Sequence, residues 1–180
     1  MKKLKVNQIV VEPTVGICEV EGVRRMMVDG AERDFYILKS GNARVMIPIE
    51  QIERRGIRSP MSNDEVKKIY QQMKIPVSPS RGNTKAQYLG YREILKSGSP
   101  QKIAKLLRDL YTLEQVEELK GKERDIMEQA RRFLCDEIVF VTEQSRTKVM
   151  ERINQSLKSM YKKKVAKDRQ RSKRKREKAK

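Results

Sequence analysis

One stretch of this chain contains a helix stop, a helix start and an amphipathic helix: Leu95-Lys-Ser-Gly-Ser-Pro-Gln-Lys-Ile-Ala-Lys-Leu-Leu-Arg-Asp-Leu-Tyr111. Gly98 suits the left-handed position just past a helix, and Ser99 can cap the next helix with Pro100 in its first position. The apolar residues that follow have the spacing of one helical face: Ile103, Leu106, Leu107, Leu110 and Tyr111. The stretch therefore predicts a helix with one packed face and one basic face.

The charge of the chain is positive and unevenly distributed. Its 180 residues have a formal net charge of +18, and 12 of the 42 Lys and Arg residues fall in residues 161–180, against two acidic residues. This segment has a charge of +10, and residues 1–160 have a charge of +8. A basic tail on a basic body indicates a partner with an acidic surface, such as nucleic acid.

The composition argues against several kinds of site. The chain has no histidine and two cysteines, so neither a Cys/His zinc site nor a histidine-dependent nucleophile can be built. Cys18 and Cys135 lie in apolar patterns and are predicted to be reduced core thiols. We predict no catalytic residue, metal, cofactor or small-molecule substrate. The sequence has no apolar run of 18 residues and no signal-peptide core, so we expect a cytoplasmic protein that does not bind membranes.

The first sixty residues have the pattern of a small β domain. Short apolar or alternating segments are separated by turn residues, and Asp29-Gly30 matches a β-hairpin turn that needs positive φ. Pro48 cannot donate to a ladder, which places the end of the last strand at a sheet edge or just past one. Four or five short strands in about fifty residues predict a strongly bent barrel of the SH3 or Tudor kind.

The β segments contain more large aliphatic residues than one side of such a sheet needs: Met26, Met27, Val28, Ile37, Met46 and Ile47. Two interpretations are open at this point. These side chains either fill the core, or some of them face outward at an edge where a partner adds a strand.

The next hundred residues, about 61–161, predict a compact domain of five helices with short connections. Ser62-Asn-Asp-Glu65 has the form of a capping box, and the helix that it starts runs to about Met73. A second helix is predicted from about Thr84 to Lys96, and the quoted stretch contains the third. Two more follow a break at Leu119-Lys-Gly-Lys122.

The predicted fold class is therefore α+β, with a small N-terminal SH3/Tudor-like barrel, a compact five-helix domain and a basic tail. We place the domains at residues 1–60, 61–161 and 162–180. The apolar period ends at Lys162, so we expect a tail that is disordered when free and adds salt-sensitive attraction for phosphates. Its sequence does not choose among DNA, RNA and another acidic surface.

A basic segment with two tyrosines lies between Ser78 and Lys105. Six Lys or Arg residues stand there against one acid, Glu93. Basic residues interleaved with tyrosines around a loop and two helix ends are typical of a nucleic-acid footprint. A solvated helix face with core tyrosines has a similar pattern, so the residues alone leave both interpretations open.

Ten short elements have the order and spacing of a known family: Val11-Glu-Pro-Thr-Val-Gly16, Val20-Glu-Gly22, Phe35-Tyr-Ile-Leu38, Val45-Met-Ile-Pro-Ile49, Gly56-Ile-Arg58, Ser97-Gly98, Ile103-Ala104, Leu107-Arg-Asp-Leu-Tyr111, Glu123-Arg124 and Ala130-Arg131. On these elements the chain resembles the CarD/CdnL family of bacterial RNA polymerase-binding transcription regulators, over roughly residues 4–141. The resemblance implies that a Tudor-like domain, shared with transcription-repair coupling factor, docks on the polymerase β subunit by extending its sheet. It also implies that the helical domain contacts promoter DNA and stabilises the open complex.

The resemblance suggests residues for both contacts. Those expected to bind RNA polymerase are Met26, Val28, Ile37, Met46 and Pro48. Those expected to bind DNA, with the basic segment taken into account, are Arg81, Thr84, Lys85, Tyr88, Arg92, Lys96 and Lys102. Such a factor is not an enzyme, since it acts by binding the open complex better than the closed one. It would be associated with the nucleoid.

The sequence departs from the family's pattern at one position. Members commonly carry a tryptophan that wedges into the minor groove, and here Thr84 stands at that position. Two arginines usual just after it fall on Ala86 and Gln87, and the chain contains no tryptophan. Because no large flat side chain is present to fill an opened base step, we expect weaker stabilisation of the bubble and stronger salt dependence than in typical members.

Two other functions compete with this interpretation. A free-standing, nonspecific nucleic-acid-binding architectural protein would use aromatic stacking platforms. The barrel offers only Phe35 and Tyr36, which are strand neighbours and point to opposite faces. A metal-dependent nuclease would use carboxylates to hold its metal. The available carboxylates lie around a helix end and have the pattern of ordinary solvent-exposed charge: Glu114, Glu117, Glu118 and Asp125.

Overall fold

The computed structural model describes residues 3–79 and 84–178. Within these residues a curled four-stranded antiparallel sheet, shaped as a half-barrel, is followed by five helices. The strands are β1 (Ile9–Glu12), β2 (Gly16–Val28), β3 (Ala31–Ser40) and β4 (Ala43–Pro48). The helices are α1 (Asn63–Met73), α2 (Thr84–Lys96), α3 (Pro100–Glu114), α4 (Gly121–Thr142) and α5 (Arg146–Lys178). The predicted α+β class is confirmed.

The sheet is a meander in the order β1-β2-β3-β4. Asp29 and Gly30 join β2 to β3 with φ angles of 52° and 76°, as the predicted hairpin turn requires. β2 is one strand of 13 residues, and its pairing with β3 shifts register between Val20 and Gly22. An extra residue at such a bulge bends the strand and increases its twist, which allows a long strand to follow a curled sheet.

One face of the sheet, called the core face here, covers a hydrophobic core together with the segment after β4. Directly paired residues of an antiparallel sheet share a face, and neighbours along a strand alternate. Tyr36 and Ile47 are paired and both point into this core. The buried residues of the core are Val10, Cys18, Val20, Tyr36, Leu38, Ile47, Ile52 and Ile57.

The helices enclose a second core, built mainly from α1, α3, α4 and the first half of α5. The predicted caps are present. The Ser62 hydroxyl accepts from the Glu65 N–H at 3.2 Å, and the Glu65 carboxylate accepts from the Ser62 N–H at 2.8 Å. Ser99 caps α3 with Pro100 in its first turn, and Gly98 has a φ of 61°. The local signals in the sequence therefore fix where these helices begin and end.

The two cysteines lie in different cores. Cys18 belongs to the core of the sheet and Cys135 to that of the helices, and both are buried and free. Burial raises the pKa of each thiol, which keeps both in the neutral form expected of core residues.

The basic C-terminal segment continues α5 without a break to Lys178, whereas the sequence led us to expect a tail that is disordered when free. Residues 161–178 include neither glycine nor proline and are rich in lysine and arginine, which propagate a helix well. Because α5 is already packed up to Met160, its continuation needs no new helix nucleus. Among the described residues, none of the helices combines the length and apolar character needed to cross a membrane.

Candidate functional site

The five residues expected to bind polymerase share the face of the sheet opposite the core, called the outer face here. Ile37 lies directly opposite Met46 in the register, while the adjacent pair of Tyr36 and Ile47 points into the core. On the same alternation, Val28 lies opposite Ala31, Met26 opposite Arg33 and Pro48 opposite Phe35. The register therefore gathers residues from three strands into one surface: Met26, Val28, Ile37, Met46 and Pro48.

The outer face is apolar at its centre. Met46 is 47% exposed, and Phe35, at 9%, lies beneath the surface formed by its neighbours. Met26, Val28, Ile37 and Pro48 are half-buried. Among the surplus aliphatic residues in the sequence, Ile47 fills the core, and the others keep part or much of their surface exposed. An apolar patch that a monomer leaves uncovered is a common feature of a protein-binding surface.

The two edges of the sheet differ. β1 is partly covered by the chain at Arg58: the Val11 N–H donates to the Arg58 carbonyl at 2.7 Å, and the reverse bond measures 3.3 Å. β4 pairs with β3 and, in the part of the chain that the structure describes, with no other strand. An edge strand of this kind presents a row of N–H and C=O groups to which another strand can pair.

Exposed ion pairs flank the hairpin. Arg44 donates to the Glu21 carboxylate at 2.7 and 3.0 Å, and this bond lowers the pKa of Glu21. Arg25 of β2 donates to Asp34 of β3 at 2.9 Å, which lowers the pKa of Asp34. Solvent-exposed pairs contribute little net stability. Arg44 shares the outer face with Met46 and forms a polar border of the apolar patch, whereas Arg25 and Asp34 lie on the other face of the hairpin.

Four of the expected DNA-binding residues lie on one side of α2, a surface called the α2 stripe here. They follow one another at intervals of three, four and four residues, which places their side chains on one line along a helix: Lys85, Tyr88, Arg92 and Lys96. Thr84 begins α2, but its side chain and Arg81 lie outside the described residues. Lys102 lies on the first turn of α3, beyond the other end of α2, so it is not brought to the start of α2.

The α2 stripe borders a groove of about 830 Å³ between α2, α4 and the turn that joins β1 to β2. Arg92 and Lys96 line it from α2, and Arg132 lines it from α4. Asp136, the acidic residue of its described lining, pairs with Arg146. Three of the four charged residues of the described lining are therefore positive, which favours anionic groups such as phosphate.

Two neighbours of the α2 stripe were not predicted from the sequence. Lys122, in the first turn of α4, holds its Nζ 5.5 Å from the centroid of the Tyr88 ring, an attractive cation–π arrangement. Leu89, beside the stripe, is 52% exposed. No local signal could have paired Lys122 with Tyr88, because they belong to different helices.

Two family models match this chain. Residues 4–61 match the CarD-like/TRCF RID domain, and residues 68–154 match the C-terminal domain of CarD. The chain belongs to the CarD/CdnL family. Members of this family are transcription factors that interact with RNA polymerase, and the RID domain is of a type that binds the polymerase β subunit.

The two CarD regions of the chain meet at a buried ion pair. Glu137 of α4, whose side chain is 2% exposed, accepts two hydrogen bonds of 2.6 Å from the Arg58 guanidinium. The same carboxylate accepts from the N–H of Met61 at 2.8 Å, and Arg58 also donates through Nε to the Gly98 carbonyl at 2.8 Å. These bonds connect the end of the RID region to α4 and to the loop before α3, and so fix the sheet relative to the helices.

Two glycines let the backbones approach closely at the same joint. Gly56 and Gly98 have φ angles of 71° and 61°, values that side chains with a Cβ rarely adopt. A Cβ on Gly56 would lie 2.8 Å from the Ser97 carbonyl oxygen, and one on Gly98 would lie 2.7 Å from Cγ of Pro13. The joint between the two CarD regions therefore depends on glycine at both positions.

Proposed function

We propose that this chain regulates transcription by docking on the β subunit of bacterial RNA polymerase through residues 1–60 and contacting promoter DNA through residues 61–161, which stabilises the open complex. The observation that supports the dock most directly is the apolar outer face beside β4, an edge strand without a second partner in the described part of the chain. This surface lies within the region that matches the RID domain.

The proposed dock is a strand addition to β4. A partner strand would satisfy the outward backbone groups of β4, while its side chains packed against the outer face. The polymerase-binding residues in this arrangement are Met26, Val28, Ile37, Met46 and Pro48. A carboxylate placed among them would lose its hydration without gaining a partner, which opposes binding.

The proposed DNA contact is the α2 stripe. Lys85, Arg92 and Lys96 would contact phosphates and Tyr88 would support them, with Arg81, Thr84 and Lys102 as the further candidates. A factor that binds the open complex more tightly than the closed complex shifts that equilibrium by its difference in affinity. Thr84 stands where the family commonly has a tryptophan wedge. Attraction to phosphates therefore supplies a larger share of this difference in affinity than it does in members that have the tryptophan.

The dock is tested by the double variant Val28→Glu, Met46→Glu. We expect at least a tenfold loss of affinity for purified bacterial RNA polymerase, because two carboxylates would be buried against an apolar surface without partners. Binding is measured by fluorescence anisotropy of the labelled chain, and circular dichroism checks that the variant remains folded.

The matched control for the dock is Met27→Glu. Met27 is 66% exposed on β2 and lies opposite Glu32, so its side chain points to the other face of the hairpin from its neighbours Met26 and Val28. We expect Met27→Glu to bind polymerase as the unmodified chain does. Equal losses in both variants would rule out docking through the outer face.

The DNA contact is tested by the salt dependence of binding. Replacing Lys85 and Arg92 by glutamine should reduce the slope of log K against log salt by about 1 for each phosphate that the variant no longer neutralises. The readout is anisotropy of a labelled promoter duplex between low and physiological salt. Lys67→Gln is the control, since Lys67 is exposed on α1 and paired with Asp64 at 2.8 Å. An equal change in this control would contradict a localised contact on α2.

A second candidate function is nonspecific nucleic-acid binding without polymerase. The net charge of +18 and the basic end of α5 favour it. An intact chain that binds duplex DNA but shows no affinity for polymerase would support this candidate over the first.

A further inference from the structure

The basic end of α5 leaves the helical core at a defined place. α5 runs antiparallel to α4, and Arg131 of α4 donates to Asn154 of α5 at 2.8 Å. Farther along, the Tyr161 hydroxyl donates to the carbonyl of Gln115 at 3.5 Å, just after the end of α3. Because α4 begins only a few residues later, at Gly121, residues 162–178 project past the start of α4. We call these residues the basic extension.

The start of α2 lies at the same end of the helical region. Lys122, in the first turn of α4, contacts the ring of Tyr88, and Tyr88 lies one turn after the beginning of α2. The exit of α5, the first turn of α4 and the first turns of α2 are therefore neighbours.

The basic extension is long and highly charged. It contains eleven Lys or Arg residues and two acidic residues, Asp168 and Glu177. Lys164 pairs with Asp168 at 2.8 Å, and the side chains of residues 166–174 are exposed. At 1.5 Å per residue the extension spans about 25 Å, a length along which B-DNA presents roughly 15 phosphate charges.

The chemistry of the extension favours duplex DNA over other acidic partners. Its apolar residues are Val165 and Ala166, too few for the apolar face with which a helix enters a membrane surface. It contains no aromatic residue, whereas single-stranded nucleic acid is held largely by stacking on aromatic side chains. A basic helix that lies along duplex DNA contacts phosphates, and this contact requires neither an apolar face nor aromatic residues.

We infer that the basic extension of α5 is a second DNA-binding element, which lies along duplex DNA as a helix continuous with the folded part of α5, beside the contact made by α2. The choice of DNA as the partner rests on the proposed function. Continuity with a packed helix matters because the extension then orders without a nucleation penalty. Phosphates also relieve the repulsion between like charges four residues apart, such as Lys163 and Lys167.

The test keeps every charge and breaks only the helix. Ala166→Pro removes a backbone hydrogen bond and forces a kink beyond Met160, the last buried residue that the structure describes. Ala166→Ser at the same exposed position is the control. Affinity of the full chain for a 30-base-pair duplex is measured by anisotropy over a salt series, and helix content is followed by circular dichroism on adding DNA. A thermal melt of each variant verifies the folded body.

We expect Ala166→Pro to bind duplex DNA about tenfold more weakly, with a salt slope smaller by about 2, while Ala166→Ser binds like the unmodified chain. Helix content of the unmodified chain should exceed that of the proline variant both before and after DNA is added. Unchanged binding by Ala166→Pro, or tighter binding of single-stranded RNA of the same length than of the duplex, would overturn the inference.

The two sets of variants test the two proposed DNA contacts independently. Loss of affinity in the Lys85→Gln, Arg92→Gln variant with unchanged binding by Ala166→Pro would retain the α2 contact and reject the extension. The reverse result would reject the α2 contact and retain the extension as a DNA-binding helix.

Discussion

Replacing Glu137 by alanine is expected to lower the free energy of unfolding by about 3–5 kcal/mol. The carboxylate is buried and accepts three hydrogen bonds, two from Arg58 and one from the N–H of Met61. Its removal would leave a guanidinium whose side chain is only 24% exposed without its counter-charge, and a buried N–H without an acceptor. The measurement is the midpoint and slope of urea denaturation followed by circular dichroism.

Two further variants separate the charge from the hydrogen bonds at this joint. Glu137→Gln keeps one oxygen, which can still accept from the Met61 N–H and from one N–H of Arg58. It should cost less than alanine, although its NH2 group cannot accept the second bond from Arg58. The double variant Arg58→Met, Glu137→Leu leaves no unpaired buried charge, so it should cost less than the alanine variant. Some cost remains, because the Met61 N–H and the Gly98 carbonyl lose their partners. An alanine variant with the denaturation midpoint of the unmodified chain would show that the ion pair is not buried in solution.

The double variant also has a functional use. Arg58 and Glu137 belong to the two regions that match the CarD domains, and their bidentate geometry fixes one region relative to the other. A variant that is stable but lacks this geometry should bind polymerase and duplex DNA separately as before. Under the proposed function, its stabilisation of the open complex should be weaker, since that function requires both contacts at a set distance.

Local signals made much of the fold predictable. The caps at Ser62 and Ser99 and the turn at Asp29-Gly30 each depend on a few consecutive residues, and the structure has all three. The strand pattern also predicted a surplus of apolar residues. It could not say which would face outward, because the bulge between Val20 and Gly22 changes the alternation along β2.

Contacts between distant parts of the chain could not be predicted. Arg58 and Glu137 are 79 positions apart, and no sequence pattern around either residue predicts that they pair. The α2 stripe was predicted as separate basic residues, and only the arrangement of helices shows that Lys122 reaches Tyr88. The end of the apolar period at Lys162 was interpreted as the end of order, although the same residues are good helix formers and continue a helix that packing has already started.

Replacing Gly56 by alanine is expected to destabilise the fold by about 2–3 kcal/mol. Part of the cost is conformational, because the φ angle of 71° suits glycine and strains a residue with a Cβ. The rest is steric: the new Cβ would lie 2.8 Å from the carbonyl oxygen of Ser97 and 3.2 Å from its carbon. Both neighbours are backbone atoms, so relief requires the RID region and the loop before α3 to move apart.

Gly90 provides the matched control for this substitution. It lies inside α2, is exposed, and a Cβ built there meets nothing within 4 Å. Gly90→Ala should therefore stabilise the chain by about 0.5–1 kcal/mol, because alanine loses less backbone freedom than glycine when a helix forms. The same substitution should therefore shift the urea midpoint in opposite directions at the two positions. Stabilisation by both variants would mean that the two regions do not approach closely at Gly56.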